Sequence, residues 1–194
     1  MPSSTFASTA SPRTPTNIDP SAVTSSKATI TGTHLISIGP NSIINPFATI
    51  DSTHGPVEIG ESVVVWERVV IGTLDDELGA SERDAPLLTK LGNSVVIKAH
   101  NTIPCGVQLD EGAHVCVRAQ IGQGARIGAF AKLTSGVKIA PGDEVPPYSV
   151  VFLAGNEERQ MMRVNKSLVE NEKMRQLQKR GHEKLLESLR LLVK

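Results

Sequence analysis

Aliphatic residues recur at every sixth position through the second half of this chain. A helix repeats every 3.6 residues and a strand alternates with period two, so neither element explains this spacing. A strand of about four residues followed by a two-residue turn does explain it, because the aliphatic residue and the small residue two positions before it then both point inward. The pattern therefore predicts a chain that winds as a coil. The aliphatic positions are Leu91, Ile97, Ile103, Leu109, Val115, Ile121, Ile127, Leu133, Ile139, Val145 and Val151.

The first half of the chain shows how many of these six-residue units complete one turn of the coil. The spacing is interrupted by extra residues after Ile30, Ile50 and Ile71, each time at the end of a third unit. Insertions after every third unit emerge at a single edge of a three-sided prism. We therefore expect three flat faces and slightly more than six coils. We also expect positive φ at the glycines that directly follow aliphatic positions, such as Gly92 and Gly122.

Composition divides the chain into three segments. Residues 1–17 are mostly Ser, Thr, Pro and Ala, which predicts a disordered tail. Residues 18–155 contain the six-residue repeat and are expected to form the coil, a β-helix, from which residues 73–90 project as an acidic loop. In residues 156–194 Gly and Pro nearly vanish and Leu and Met recur at helical spacing, which predicts a C-terminal amphipathic helix long enough to run along one face of the prism.

Charge and composition exclude several classes of protein. Lys plus Arg and Asp plus Glu both number 20, so the chain lacks the basic excess of a general nucleic-acid binder. Aromatic residues make up only 3% of the chain, so the core must be aliphatic. The two cysteines, Cys105 and Cys116, fall on different edges of the prism, which argues against a disulfide. With no apolar stretch of about 18 residues, we expect no membrane span and a cytoplasmic location.

The repeat over residues 18–155 resembles the hexapeptide-repeat family, whose fold is a left-handed parallel β-helix. That resemblance implies the fold class, an all-β solenoid with a C-terminal α-helix, and the left-handed winding. It does not imply one function, because the family contains acyltransferases, γ-class carbonic anhydrases and non-enzymatic subunits.

The carbonic anhydrase alternative requires three histidines that converge on zinc. The positions that correspond to the family's ligands hold Gly72, Ala99 and Pro104, none of which can bind the metal. We therefore predict no metal site and no cofactor. If the chain is related to the γ-class carbonic anhydrases, it is a degenerate relative that lacks the zinc ligands.

The acyltransferase alternative stays open. Enzymes of this family carry a projecting loop and a catalytic histidine, and residues 73–90 form a loop of suitable length. That loop contains no histidine and is acidic, so it would repel the phosphates of coenzyme A. His100 and His114, on later coils, are the candidate bases.

A narrower resemblance lies in the early coils. The segments IGPNSIINPFATI (residues 38–50) and GPVEIGE (residues 55–61) are similar to the hexapeptide-repeat subunits of the dynactin pointed-end complex, subunit 6 more than subunit 5. The chain departs from that pattern in two extra residues between Ile30 and Ile38. It also departs in residues 145–150, which look more like the end of subunit 5.

This resemblance implies a non-enzymatic assembly subunit, associated with the cytoskeleton, that supports dynein-driven transport along microtubules and the binding of cargo. The implied partners are the dynactin subunit 5 paralogue, the actin-related pointed-end cap protein and the zinc-binding dynactin subunit. Dynein and cargo would be reached indirectly.

Projection of the repeat onto the prism predicts the surfaces that partners would contact. One face carries an outward apolar stripe, which must be covered either by the C-terminal helix or by a partner. The second face is polar and modestly basic. The lone tryptophan, Trp66, comes directly after an aliphatic position, so we expect its side chain to be exposed, and tryptophan is a common anchor residue at interfaces. The predicted partner-contact residues are Ile43, Val64, Val96, Phe130, Tyr148, Trp66, Arg68 and Arg118.

Overall fold

The computed structural model describes residues 14–74, 86–154, 159–165 and 167–192. They form a prism of three sheets, followed by a helix, α1 (Leu168–Leu192). Sheet A contains β1 (Thr16–Ile18), β4 (Ile36–Ile38), β7 (Val57–Ile59), β10 (Thr89–Leu91), β13 (Gln108–Leu109), β16 (Arg126–Ile127) and β19 (Glu144–Val145). Sheet B contains β2 (Val23–Thr24), β5 (Ile43–Ile44), β8 (Val64–Val65), β11 (Val96–Ile97), β14 (His114–Val115), β17 (Lys132–Leu133), β20 (Ser149–Ala154) and β21 (Arg159–Val164). Sheet C contains β3 (Thr29–Gly32), β6 (Thr49–Ser52), β9 (Val70–Thr73), β12 (Thr102–Pro104), β15 (Gln120–Ile121) and β18 (Lys138–Ile139).

Each coil contributes one strand to each sheet, and strands of successive coils pair in parallel. The chain completes six such coils and begins a seventh with β19 and β20. The predicted left-handed parallel β-helix with a C-terminal helix is therefore confirmed. The three insertions connect β3 to β4, β6 to β7 and β9 to β10, so all of them emerge where sheet C passes to sheet A, as the spacing predicts.

Two predicted segments fall partly outside the described residues. Most of the acidic loop, residues 75–85, lies there, and its projection from the prism stays a prediction. Residues 1–13 of the predicted tail also lie outside, but β1 begins at Thr16 and pairs with β4, so the β-helix starts before residue 18.

The core consists of the aliphatic residues that recur every sixth position. Those of successive coils, such as Ile97, Val115 and Leu133, pair in register across sheet B and are fully buried. Full burial of such a side chain contributes roughly 1.5–3 kcal/mol. The position two residues earlier holds smaller buried residues such as Val95 and Ala113. The alternation of large and small side chains fills the prism.

A residue in the left-handed conformation stands at every corner of the regular coils. These residues are Ser94, His100, Gly106, Gly112, Arg118, Gly124, Phe130, Gly136, Gly142 and Tyr148, with φ between 55° and 81°. The expectation of positive φ at Gly92 and Gly122 is therefore wrong, since the left-handed residue comes two positions later. Glycine is needed at Gly122 for a different reason, because a Cβ there would lie 2.4 Å from the backbone nitrogen of Pro141 in the next coil.

In the segment expected to be wholly helical, residues 156–194, the described residues begin at Arg159 with a strand instead. Strand β21 pairs antiparallel with β20, and the side chain of Gln160 caps sheet C, accepting a hydrogen bond from Lys138 N (2.7 Å) and donating one to Lys138 O (2.6 Å). The physical reason is that the last coil leaves strand edges whose N–H and C=O groups need partners. The helix begins only after Ser167, whose hydroxyl accepts a hydrogen bond from Glu170 N (3.3 Å) as an N-cap.

The helix α1 runs back along sheet B from the last coils toward the first. Near its C-terminal end, Leu186 and Leu189 are buried against Ile43, Val64 and Val96. The side chain of Arg190 bonds that of Asn41, at the second coil. The apolar stripe of sheet B is therefore covered by the chain's own helix. Within the described segments, no helix has the length and apolar character needed to cross a membrane.

The left-handed corners make a testable prediction about stability. A Cβ at Gly124 would meet nothing within 4 Å, so Gly124→Ala adds backbone strain without a clash. We expect a loss of about 1 kcal/mol in the free energy of unfolding, measured by urea denaturation. The control is His100→Gly, at an exposed corner with φ 60°, which should cause no loss. Equal losses in both variants would contradict this account of the corners.

Candidate functional site

The helix α1 does not close completely onto sheet B. Between its two anchored ends lies a cavity of about 240 Å³. The cavity exists because small residues line it on both sides: Gly181 on the helix, and Ser94 and Gly112 on the prism. The complete lining is Ser94, Val96, Lys98, Gly112, His114, Phe130, Gln178, Lys179, Gly181, His182 and Leu185.

His114 is the cavity residue with the most unusual environment. It lies in β14 on the outward side of sheet B, paired with Val96 in one neighbouring coil and with Lys132 in the other. Its Nε2 atom is buried and has no hydrogen-bond partner among the described residues. Burial, followed by the nearby charges of Lys132, Lys98 and His182, lowers the pKa of His114 from 6.5 to about 4. The imidazole is therefore neutral at pH 7.

His182 attaches α1 to the prism across the cavity. Its Nε2 atom forms a hydrogen bond to the backbone carbonyl of Ser62, so this nitrogen carries the proton. Burial lowers the pKa of His182 below 6.5, while the Ser62 carbonyl and Glu183 oppose that shift. The neutral imidazole thus serves as a donor that holds the helix in place.

The charged groups of the lining are cations. The Lys98 ammonium lies 4.1 Å from the centre of the Trp66 ring, and the Lys179 ammonium lies 3.7 Å from a carboxylate oxygen of Glu111 at the rim. The lining itself includes no carboxylate. The side-chain oxygen of Gln178 is also buried without a hydrogen-bond partner among the described residues. The site can therefore offer positive charge, two unsatisfied polar atoms and an apolar wall.

Most of the predicted partner-contact residues lie beside or beneath α1. Ile43 and Val64 are fully buried, and Val96 is 8% exposed. Phe130 is 5% exposed, stacks on Tyr148 with ring centroids 5.4 Å apart, and lies 5.6 Å from the Arg175 guanidinium of α1. The apolar stripe is thus occupied within the chain.

The remaining contact residues lie elsewhere. Trp66 is only partly exposed and packs at the edge of the cluster that α1 covers. Arg68 and Arg118 are exposed at the corners that lead into sheet C. No group of three or more His, Cys, Asp or Glu side chains in the described ranges is arranged to hold a metal ion.

Sequence reasoning identified only part of this site. His114 is a candidate base in the sequence, but nothing there joins it to His182, 68 residues away. The available signal was Gly181, which interrupts an otherwise good helix-forming segment. A mid-helix glycine costs about 1 kcal/mol relative to alanine and often marks a packing or functional constraint.

Comparison with known proteins places this architecture among hexapeptide-repeat folds. No family model and no curated protein matches the chain. Among solved structures, a Bacillus cereus protein named as a candidate acetyltransferase is 19% identical, with 92% of this chain and 94% of that chain covered and a TM-score of 0.63. A hexapeptide transferase family protein from Anaplasma phagocytophilum is 17% identical, covering 89% and 92%, with a TM-score of 0.49. The UDP-N-acetylglucosamine acyltransferase of Campylobacter jejuni is 17% identical, covering 81% of each chain, with a TM-score of 0.40.

These comparisons contradict the expectation of a non-enzymatic chain. That expectation came from the resemblance of two short segments to dynactin subunits, whereas the Bacillus cereus structure that matches with a TM-score of 0.63 is named as a candidate acetyltransferase. An identity of 19% at that TM-score shows a shared fold and does not by itself show a shared reaction.

The two half-buried histidines of the cavity predict how stability depends on pH. Between about pH 4 and pH 6.5 the unfolded chain binds a proton at His114 that the folded chain does not, so the free energy of unfolding rises with pH across this window and levels off above it. His182 acts in the same direction. We expect His114→Asn to flatten the rise, measured as the thermal midpoint from pH 4.5 to 7. His100→Asn, at an exposed corner, is the control, and an unchanged slope in His114→Asn would refute the assignment.

Proposed function

We propose that this chain is an acyltransferase whose acceptor binds in the cavity between sheet B and α1, with His114 as the general base. The observation that carries the proposal is the buried, unpartnered Nε2 atom of His114 in the lining of a cavity, on an imidazole that is neutral at pH 7. In the tautomer that carries its proton on Nδ1, this atom is a proton acceptor without a partner, which is what a base needs before its substrate arrives. The name of the Bacillus cereus neighbour, a candidate acetyltransferase, supports the reaction class.

The chemistry follows from that atom. An acceptor hydroxyl or amine attacks the carbonyl carbon of an acyl thioester such as acyl-coenzyme A, and His114 Nε2 takes the proton that the acceptor loses. Collapse of the tetrahedral intermediate breaks the carbon–sulfur bond, and the imidazolium returns the proton to the departing thiolate. The predicted repulsion of coenzyme A by the acidic loop concerns residues 75–85, outside the described ranges, whereas the cavity itself is lined by Lys98 and Lys179.

The general-base assignment predicts the effect of His114→Asn. The amide keeps a polar group of similar size but cannot take up a proton at pH 7, so we expect the rate of thiol release from acetyl-coenzyme A, with a panel of hydroxyl and amine acceptors, to fall at least 100-fold. The matched control is His100→Asn, which should retain full activity. Thiol release by the wild-type chain that His114→Asn does not reduce would refute the role of His114, and the absence of release with every acceptor would count against the function.

A second candidate function is assembly with the dynactin subunit 5 paralogue, as the resemblance in the early coils implies. The observation in its favour is the distribution of free surface. Because α1 covers sheet B, a partner would use sheet C, at whose corners Arg68 and Arg118 are exposed and unpaired by any carboxylate among the described residues. The other implied partners, the actin-related cap protein and the zinc-binding subunit, rest on the resemblance alone.

If the paralogue binds to sheet C, reversing the charge of the arginines at its corners should weaken the complex. We expect the double variant Arg68→Glu and Arg118→Glu to reduce co-elution with the co-expressed paralogue at least tenfold in size-exclusion chromatography. Arg126→Glu, exposed on sheet A, is the control and should leave the complex intact. Co-elution that is equal in all three proteins would exclude sheet C as the contact.

A further inference from the structure

We infer that the acceptor bound in this cavity is a small organic anion with an apolar body. This inference rests on the proposed function, since it names the class of substrate for the same site. Its anionic group is neutralised by the cations of the lining, and its apolar body packs on Val96, Phe130 and Leu185. Three independent observations support it: the size of the cavity, its charge and the position of Gly181.

The volume limits the size of the ligand. A cavity of about 150 Å³ lined by aliphatic and aromatic side chains holds benzene. The cavity under α1 measures about 240 Å³. It therefore has room for a ring, or a branched chain of similar size, together with a short polar substituent.

The positive charges of the cavity lining favour an anionic ligand. Lys98 and Lys179 face the cavity beside the neutral imidazoles of His114 and His182, and no carboxylate is part of the lining. The nearest counter-charge to Lys179 is Glu111, which it shares with Arg175 (3.8 Å). Lys98 has an aromatic face, that of Trp66, as its neighbour. Positive charge thus accumulates around a partly buried space, where an anion would be stabilised more strongly than in water.

Gly181 shows that the space is not filled by the chain itself. A Cβ at this position would meet no atom within 4 Å, so packing does not require glycine there. Alanine, with its higher helix propensity, would stabilise the middle of the helix relative to glycine. The sequence therefore keeps a destabilising residue in the lining of the cavity, next to the side chains of Gln178, Lys179, His182 and Leu185.

An anion bound in the cavity would also change the pKa of the general base, His114. Burial lowers the pKa of His114 most, and the positive charges of Lys132 and Lys98 lower it further. A carboxylate bound beside them would oppose that effect and move the pKa of His114 back toward neutrality, where a general base is most effective. Binding should therefore be accompanied by proton uptake at mildly acidic pH.

The test uses phenylacetate, with phenylacetamide as its neutral isostere. Trp66 is the only tryptophan and lies against Lys98, so its fluorescence reports occupation of the site. We expect phenylacetate to bind at least tenfold more tightly than phenylacetamide. Isothermal titration at pH 6, in two buffers of different ionisation enthalpy, should show proton uptake with phenylacetate only. Equal affinity for the two probes, or binding of neither, would overturn the inference.

Two variants locate the binding. Gly181→Leu fills the cavity from the helix and should abolish binding while the thermal midpoint stays the same or rises. Gln176→Leu, which places the same side chain on the exposed side of α1, should bind normally. If Gly181→Leu fails to fold, Lys98→Gln still tests the inference, because it should remove at least most of the tenfold preference for the anion. Unchanged binding in both cavity variants would place the ligand elsewhere.

The outcomes separate this inference from the proposed function. Selective binding of phenylacetate without thiol release from acetyl-coenzyme A would leave an anion site and refute the acyltransferase. Thiol release that depends on His114, together with equal affinity for phenylacetate and its amide, would support the acyltransferase and refute the anionic acceptor.

Discussion

The hydrogen bonds between successive coils are the constraint on which the rest of this structure depends. Most strands have only two or three residues, too few to be stable as separate hairpins, so each one needs the coil before it and the coil after it. The buried aliphatic residue in each strand keeps the coils in register, because a slip of one residue would turn it to the surface. To close the coil, the chain accepts a left-handed residue at every corner of the regular coils, including bulky ones such as Phe130 and Tyr148.

The same stacking determines the chemistry on the outer surface. Outward residues of successive coils stand in columns, about 4.8 Å apart from one coil to the next. On sheet B this arrangement places His114 directly between Val96 and Lys132, with Lys98 nearby. Once α1 covers the column, the imidazole is both removed from water and surrounded by positive charge. Its low pKa is thus a consequence of the coil lattice and of the helix together.

The helix connects the two candidate functions. By packing on sheet B it closes the stripe that a partner would otherwise contact, and it creates the cavity in which acyl transfer could occur. It leaves sheet C exposed, with its basic corners. An assembly role and a catalytic role would therefore use different faces of the prism, and the two do not exclude each other sterically.

The sequence by itself determined the solenoid, its three faces, the number of coils and the edge where insertions emerge, because each follows from spacing along the chain and the burial of one residue in six. The resemblance to the hexapeptide-repeat proteins further implied that Gly72, Ala99 and Pro104 stand where the γ-class carbonic anhydrases have zinc ligands. Only the tertiary structure decided which face α1 covers, that residues 159–164 cap the last coil as a strand, and that His114, Gly181 and His182 share one cavity. The physical reason is that local periodicity reports which side of a strand or helix is buried. The meeting of two elements far apart in sequence depends on how their surfaces fit.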